Sequence, residues 1–350
     1  MTSAALDRLL GILVVAVVAT GLLTLRAGDT SATLLYAAHG VVAWALAAAV
    51  VLKLSRSVPR AVAARRWGRL AVAGAVVSLS LLAIAGGVAW ATAGGILSVG
   101  GWTLLTLHAY AGLALVPLLA VHLVPRRWRL LWPGRWLRAW ILRGLGASRM
   151  PAVAVAGRPW SRRSILAAGV LGGVGILGWG LAHGIDGLRG GERRFTGSRW
   201  LAPNGIPPST TFFGEGVPAI VAADWRLSVH GRVARPASYT LSELTALARS
   251  ELVATLDCTS GWAMETTWSG IPTAAVLAAA GPDLGATRVD VRSVTGWGAG
   301  LSIHEADRTL LATHVAGEPL PAGNGAPCRL VVPGRRGLDW VKWVTEIEVA

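Results

Sequence analysis

The sequence predicts a multi-domain chain: an all-α transmembrane helical bundle of about five spans, followed by an α+β domain. Three observations carry that expectation. Long apolar runs fill roughly the first half of the 350 residues, whereas charged and polar residues alternate with Val and Leu in the second half. The arginines crowd the connections between apolar runs and form no basic face. Beyond about Gly187, short β-prone segments mix with short helical ones and no βαβ repeat occurs.

The apolar runs cover approximately Leu9 to Leu25, Thr33 to Leu54, Leu70 to Ala91, Trp102 to Val124 and Ile165 to His183. Each is long enough, or nearly so, to cross a bilayer. The first is not read as a cleavable signal, because further spans follow it at once and no small-x-small site stands out. Orientation follows from the connections. The stretch from Lys53 to Arg69 carries six basic residues and the one from Arg126 to Arg163 carries ten arginines, while Thr92 to Gly101 carries no charge. Basic connections stay in the cytoplasm, so the N-terminus is expected inside and everything after His183 outside. The net charge of +15 thus reads as topology, which makes membrane lipid a partner and excludes nucleic acid. Two cysteines cannot supply a disulfide framework or a zinc cluster.

Histidine is scarce in spans and is a functional candidate there. His39 lies six residues into the second run and His108 six into the fourth, each counted from its outer end. At the helical rise both stand roughly 9 Å below the outer edge, on antiparallel helices. Two imidazoles so placed could ligate one haem b iron from both sides, with Gly40 and Gly112 leaving room for the porphyrin. The other reading is a packing pair hydrogen-bonded to backbone. His122 falls on about the same face but roughly 21 Å deeper, and no histidine of the second run matches it.

The expected boundaries are 1–125 for a four-helix haem-binding domain, 126–163 for a basic cytoplasmic linker, 164–185 for a fifth span and 186–350 for an outer domain. Ser161, Arg162, Arg163, Ser164, Ile165 and Leu166 precede the fifth span. This run resembles a twin-arginine export signal; it also satisfies the positive-inside rule with no further role. The Gly-rich run Gly169 to Gly180 lacks a preceding strand and a Lys, so it reads as a helix-packing surface, not a nucleotide loop.

In the outer region, Trp225 to Val229 alternates as a strand that Gly231 turns. Ser242 to Leu247 begins a helix with Glu243 in its first turn, Val253 to Asp257 is a buried strand, and Ala274 to Ala280 is a short helix. Val289 to Val291, Arg329 to Val332 and Val341 to Val349 are further strands.

The stretch Leu256 to Pro272 reads L-D-C-T-S-G-W-A-M-E-T-T-W-S-G-I-P. Cys258 follows a β-prone run and precedes a small-residue turn. On the residues alone it is either a thiolate that anchors a soft metal or a small buried hydrophobe. Cys258 with Trp262, Met264, Trp268, Gly270 and Pro272 resembles the molybdenum-ligating segment of the sulfite oxidase family, particularly its methionine-sulfoxide-reductase-like branch. Further matches occur in order: W-R-L-x-V-x-G from Trp225, S-V-T-G-W from Ser293, N-G-A-P-C-R-L-V-V-P-G from Asn324, and W-V-K-W-V from Trp340. The resemblance covers Thr210 to Val349.

It implies an α+β sulfite-oxidase-type molybdopterin-binding domain whose molybdenum is held by Cys258. It also implies pterin and phosphate contacts at Phe213, Gly214, Ser293, Asn324, Arg329, Trp340, Val341 and Lys342. A guanidinium and an ammonium suit a buried phosphate. Departures narrow the implication. The A-G-N-R-R that usually follows the cysteine is T-S-G-W-A here, Trp297 stands where many members have a tyrosine, and Thr210 or Thr211 replaces an expected Asn. A C-terminal dimerisation domain is not expected, nor an obligate dimer through the outer domain. The activity implied is oxygen-atom transfer on a sulfoxide or small sulfur compound, with electrons exchanged through haem b and the quinone pool. Two alternatives stand beside it: a non-catalytic cofactor-binding or sensor module on an anchor, and a molybdoenzyme whose membrane half carries no haem.

Overall fold

The computed structural model describes residues 3–63, 67–131, 161–211 and 215–350. It divides into two compact units: Met1–Ala19 with Ala37–Thr92 and Leu107–Gly184, and Thr20–Tyr36 with Ala93–Thr106 and Ile185–Ala350.

The first unit is helical. Its helices are α1 (Ser3–Thr24), α2 (Thr33–Ala63), α3 (Trp67–Thr92), α4 (Leu104–Leu131) and α5 (Arg162–Leu188). α2 runs past its apolar stretch through residues 55–63 and α4 through residues 125–131. Among the described residues, α1, α2, α3 and α5 are long and apolar enough to cross a membrane, and α4 has a shorter apolar part, Leu104–Leu119. A continuous helix pairs its own backbone groups, as lipid demands. Residues 126–131, expected in the linker, continue α4; residues 132–160 of that linker lie outside the described residues.

Glycines set the contact between α2 and α5. A Cβ at Gly178 would stand 2.7 Å from the Trp44 ring, Gly175 presses on the Val41 carbonyl, and Gly40 packs against the Trp179 indole. Gly40 therefore accommodates an indole and not open space, which corrects its expected role beside a porphyrin; around Gly112 the space is open. Near the start of α1, Leu6 and Leu9 pack with Ala49 and Leu171, and Lys53 pairs with Asp7 at 2.5 Å.

The second unit is α+β, and its first two strands, β1 (Ser98–Val99) and β2 (Trp102–Thr103), pair antiparallel as a two-stranded hairpin. One sheet runs β11 (Glu318–Pro319), β10 (Leu310–Val315), β7 (Trp262–Pro272) and β3 (Arg199–Trp200), with β12 (Arg329–Val331) on β10 and β6 (Ser250–Asp257) on β7. The other runs β5 (Ala237–Thr240), β4 (Arg226–Gly231), β13 (Val344–Val349), β8 (Arg288–Ser293) and β9 (Gly298–Ser302). Pairing is antiparallel except at β3–β7 and β4–β13. The short helices are α6 (Leu241–Leu247), α7 (Thr273–Ala280) and α8 (Ile303–Ala306). Thr240 and Glu243 close a capping box at the start of α6.

Two differences from expectation bear on the site. Trp262–Pro272, to which the sequence assigns no element, forms β7. Most of its residues are buried whichever way they point, polar Thr266 and Ser269 included, so no period-2 signal survives. The last strand begins at Val344 and not at Val341, because Trp343 turns the chain at φ 51°. A buried indole at left-handed φ costs on the order of 1–3 kcal/mol. Its burial and the Nε1 bond to the Ala322 carbonyl at 2.8 Å hold it there.

Candidate active site around Cys258

The hairpin β6–β7 brings Cys258 to the surface of the core. β6 ends at Asp257, Gly261 turns at φ 101°, and the Gly261 N–H donates to the Cys258 carbonyl at 2.9 Å. The Cys258 N–H donates to the Trp262 carbonyl at 2.8 Å. The sulfur is thereby held in a closed turn, 9% exposed. Three polar groups face it: Thr210 Oγ1 at 3.2 Å, Ser260 Oγ at 3.0 Å, and the Ser260 N–H, which donates at 3.5 Å. Thr210 is one of the two threonines that replace the expected Asn, and its hydroxyl reaches the sulfur itself.

Beneath the turn lies a network that the sequence reading missed. Asp257, fully buried, accepts from Arg194 Nη1 at 2.6 Å, Thr196 Oγ1 at 2.7 Å, Ser198 Oγ at 2.6 Å and Arg336 Nε at 3.2 Å. Arg336 also donates from Nη2 to the Cys258 carbonyl at 2.9 Å. Burial pulls the Arg336 guanidinium down, and the opposing field of Asp257 more than restores it, so its pKa lies above the ordinary arginine value. Gly337 closes the underside, where a Cβ would stand 3.5 Å from the Cys258 Cα. An Asp inside an apolar strand run was the available signal.

Two cations, Arg329 and Lys342, lie within electrostatic reach of the sulfur. Arg329 starts β12 with 2% exposure; its Nη1 donates to the Asn324 carbonyl at 3.0 Å and its Nη2 to the Trp340 carbonyl at 3.5 Å. Its Nε has no hydrogen-bond partner and, among the described residues, no carboxylate pairs with it. The guanidinium packs over Trp268 and Trp340, 5.2 and 5.8 Å from the ring centres. Burial lowers its pKa to about 10, with Cys258 opposing. Lys342 Nζ donates to the Thr210 and Gly323 carbonyls at 2.7 and 2.6 Å. Burial first, then repulsion from Arg329, lowers its pKa to about 8.

The remaining expected contacts are placed as follows. Asn324, 3% exposed, donates from Nδ2 to the Pro207 carbonyl at 2.8 Å. Trp340 is buried and donates from Nε1 to the Arg335 carbonyl at 3.0 Å; the Val341 carbonyl accepts from the Leu330 N–H at 2.8 Å. Ser293 ends β8 with its hydroxyl accepting from the Thr295 N–H at 3.2 Å, and the next residue, Val294, donates to the Trp343 carbonyl at 3.0 Å. Trp297 directs Nε1 to the Leu338 carbonyl at 3.0 Å. Phe213 and Gly214 lie outside the described residues.

The donor set fits one kind of cofactor. Among the described residues no three His, Cys, Asp or Glu side chains gather to hold a metal. A single thiolate suits a metal that arrives with its other ligands on an organic group. A buried guanidinium without a counter-ion, next to a lysine destabilised by the same charge, suits a phosphate on that group.

In the helical unit, the rings of His39 and His108 lie 6.2 Å apart, at 83° to one another. His108 Nδ1 is 2.7 Å from the Ala83 carbonyl, and His39 is hydrogen-bonded to the backbone of Val17. A carbonyl partner on one nitrogen fixes the tautomer and leaves the other nitrogen's lone pair for a metal. Gly87 is needed here, since a Cβ would stand 3.0 Å from His108 Nδ1. His183 instead bonds the Trp179 carbonyl, at 2.9 Å from Nδ1, and the His122 side chain lies outside the described residues.

Comparisons with known proteins match the second half of the chain. Residues 214–350 match the family model of the oxidoreductase molybdopterin binding domain. The chain is 37% identical over 141 residues to the protein-methionine-sulfoxide reductase catalytic subunit of Xanthomonas axonopodis pv. citri, covering 35% of this chain and 44% of that protein. It is 33% identical over 145 residues to the same subunit of Gluconobacter oxydans, covering 36% and 46%. The chain thus spans less than half the length of these relatives. Among solved structures, the sulfane dehydrogenase SoxCD from Paracoccus pantotrophus is 26% identical, with a TM-score of 0.37 over 38% of this chain and 40% of that one.

Proposed function

We propose that the molybdopterin-binding domain of this chain makes it a membrane-anchored molybdenum oxidoreductase that reduces a sulfoxide of the methionine sulfoxide class. The observation that carries this reading is Cys258 beside two buried cations, Arg329, whose Nε lacks a hydrogen-bond partner, and Lys342, within a domain whose relatives are named as methionine-sulfoxide reductases. The overall change is sulfoxide plus two electrons and two protons to thioether and water.

The bound cofactor would supply a two-electron metal centre competent for oxygen-atom transfer. The protein residues do the holding and orienting. Cys258 would be the metal ligand, presented by its turn. Thr210 and Ser260 direct hydroxyls at the sulfur and fix its lone pairs. Arg329 and Lys342 would hold the phosphate, Asn324 the loop beside it, and Trp340 with Val341 the backbone wall; Phe213, Gly214 and Ser293 would complete the pterin contacts. The segment after Cys258 lacks the arginine that the family's sulfite-oxidising members carry there, which favours a neutral sulfoxide over an oxyanion substrate.

His39 and His108 would ligate one haem b and exchange electrons with the quinone pool or another redox partner, in a helical domain of residues 1–125. The basic connections favour an inside N-terminus, with residues 186–350 extracytoplasmic. Purified full-length protein should contain about one molybdenum per chain by elemental analysis and oxidise reduced viologen with methionine sulfoxide. Molybdenum-loaded protein that turns over sulfite but no sulfoxide would overturn the substrate class.

A further inference from the structure

Two connections between helices, residues 25–32 and 93–103, fold into the same compact unit as Cys258. One reaches its turn directly and the other through Arg336. From the second connection, Thr103 Oγ1 donates to the Ser260 carbonyl at 2.5 Å. A hydroxyl has one proton, so the 2.9 Å contact between Thr103 and Thr106 must be a donation from Thr106, which orients Thr103 towards Ser260. Ser260 is the residue whose N–H and hydroxyl face the Cys258 sulfur.

The first connection lies along residues 334–336 through an isolated antiparallel bridge. Ala27 bridges Arg335, the Gly28 N–H donates to the Gly334 carbonyl at 3.2 Å, and the Arg336 N–H donates to the Arg26 carbonyl at 3.1 Å. Gly28 is obligatory there: a Cβ would stand 2.8 Å from the Arg335 carbonyl carbon. The end of α1 and this connection accept from the two cations that hold Asp257, Arg336 Nη1 donating to the Thr24 carbonyl at 3.4 Å and Arg194 Nη2 to the Gly28 carbonyl at 3.3 Å. Arg336 in turn holds the Cys258 carbonyl.

We propose that these two interhelical connections are positioning elements of the molybdenum site, fixing the Cys258 turn from one side through Thr103 and from the other through Arg336. The inference rests on the reading of Cys258 as the metal ligand. A ligand must be held within about 0.5 Å of its working geometry by groups that are themselves fixed. Here those groups include residues outside the molybdopterin-binding domain.

The test uses the full-length protein made without cofactor, with iodoacetamide as the probe. Cys328 is fully buried and burial pushes its pKa up to about 12, so alkylation reports Cys258. Thr103→Val should alkylate roughly two- to tenfold faster than the parent, the loss of one net hydrogen bond, while Thr103→Ser should react at the parent rate. Gly28→Val should accelerate the reaction in the same way through Arg336. In the loaded protein, Thr103→Val should change the Mo(V) electron paramagnetic resonance signal at unchanged metal content. Parent-like alkylation in Thr103→Val, equal rates in the Val and Ser variants, or alkylation of Cys328 alongside Cys258 would overturn the proposal. Were Cys258→Ser to keep the parent Mo(V) signal, the ligand reading would fail, while the alkylation contrast would still report on the turn.

Discussion

Arg336 bridges Asp257 to Cys258: its Nε donates to Asp257 Oδ1 at 3.2 Å and its Nη2 to the Cys258 carbonyl at 2.9 Å. The pair is buried, so neither charge can be lost without exposing the other to a low-dielectric surround. Removing one partner of such a pair costs ~3–5 kcal/mol. Asp257→Asn should therefore lower the melting temperature of the full-length protein on the order of 10 °C. A change within ~2 °C would show that water or another anion replaces the carboxylate.

Lys342 sets a pH dependence. Its pKa in the cofactor-free fold is lowered to about 8, against an ordinary value of 10.5. Below pH 8 it is charged in both folded and unfolded chains, and the folded state bears the cost of its burial. Between pH 8 and 10.5 the unfolded chain holds more protons, so the cofactor-free protein should gain stability as pH rises through that window. Phosphate binding has the opposite sign, because it needs the ammonium. Cofactor affinity should fall as pH rises above about 8, with proton uptake on binding. Equilibrium binding of the pterin cofactor at pH 7 and pH 9 checks this; equal affinities would remove Lys342 from the phosphate contact.

The His39–His108 pair predicts a spectroscopic loss. Replacing either by Ala should abolish the visible α-band of the membrane protein, and His122→Ala should retain it. Gly87→Val should also weaken the band, since the added carbons meet the His108 ring. A full band in both single Ala variants would leave the two imidazoles as a packing pair.

Arg162 and Arg163 form the first turn of α5, where Ser161 Oγ accepts from the Ser164 N–H at 3.2 Å. Cations at a helix N-terminus oppose its dipole by roughly 0.3–1 kcal/mol each, so helix stability is not the reason for them. Arg162→Lys with Arg163→Lys keeps both charges and the topology rule. An export signal read as paired arginines predicts that the double variant strands residues 186–350 in the cytoplasm, protected from protease on spheroplasts, while the haem band persists. Unchanged surface exposure would reduce the pair to inside-facing charge.

The legibility of this site in the sequence divides by distance along the chain. Cys258, Asn324, Arg329 and Lys342 stand in the short ordered segments that carry the resemblance to the sulfite oxidase family. Asp257 does not: it reads as a strand end, and its partners Arg194 and Arg336 lie 63 and 79 residues away. Thr103 is further still, 157 residues from Ser260. No local pattern encodes such contacts. β7 escaped for a different reason, because burial on both faces erases the alternation that announces a strand. In the helical unit, matching depth along two antiparallel runs was enough to pair His39 with His108, whereas the indole packed on Gly40 could be seen only in three dimensions.

The central claim is that the Cys258 sulfur binds molybdenum, and molybdenum X-ray absorption compares it most directly in the parent and Cys258→Ser proteins. The account predicts that the variant keeps the pterin, held by Arg329 and Lys342, loses one sulfur from the metal's coordination shell, and turns over negligibly. An unchanged sulfur count, with sulfoxide reduction near the parent rate, would contradict it.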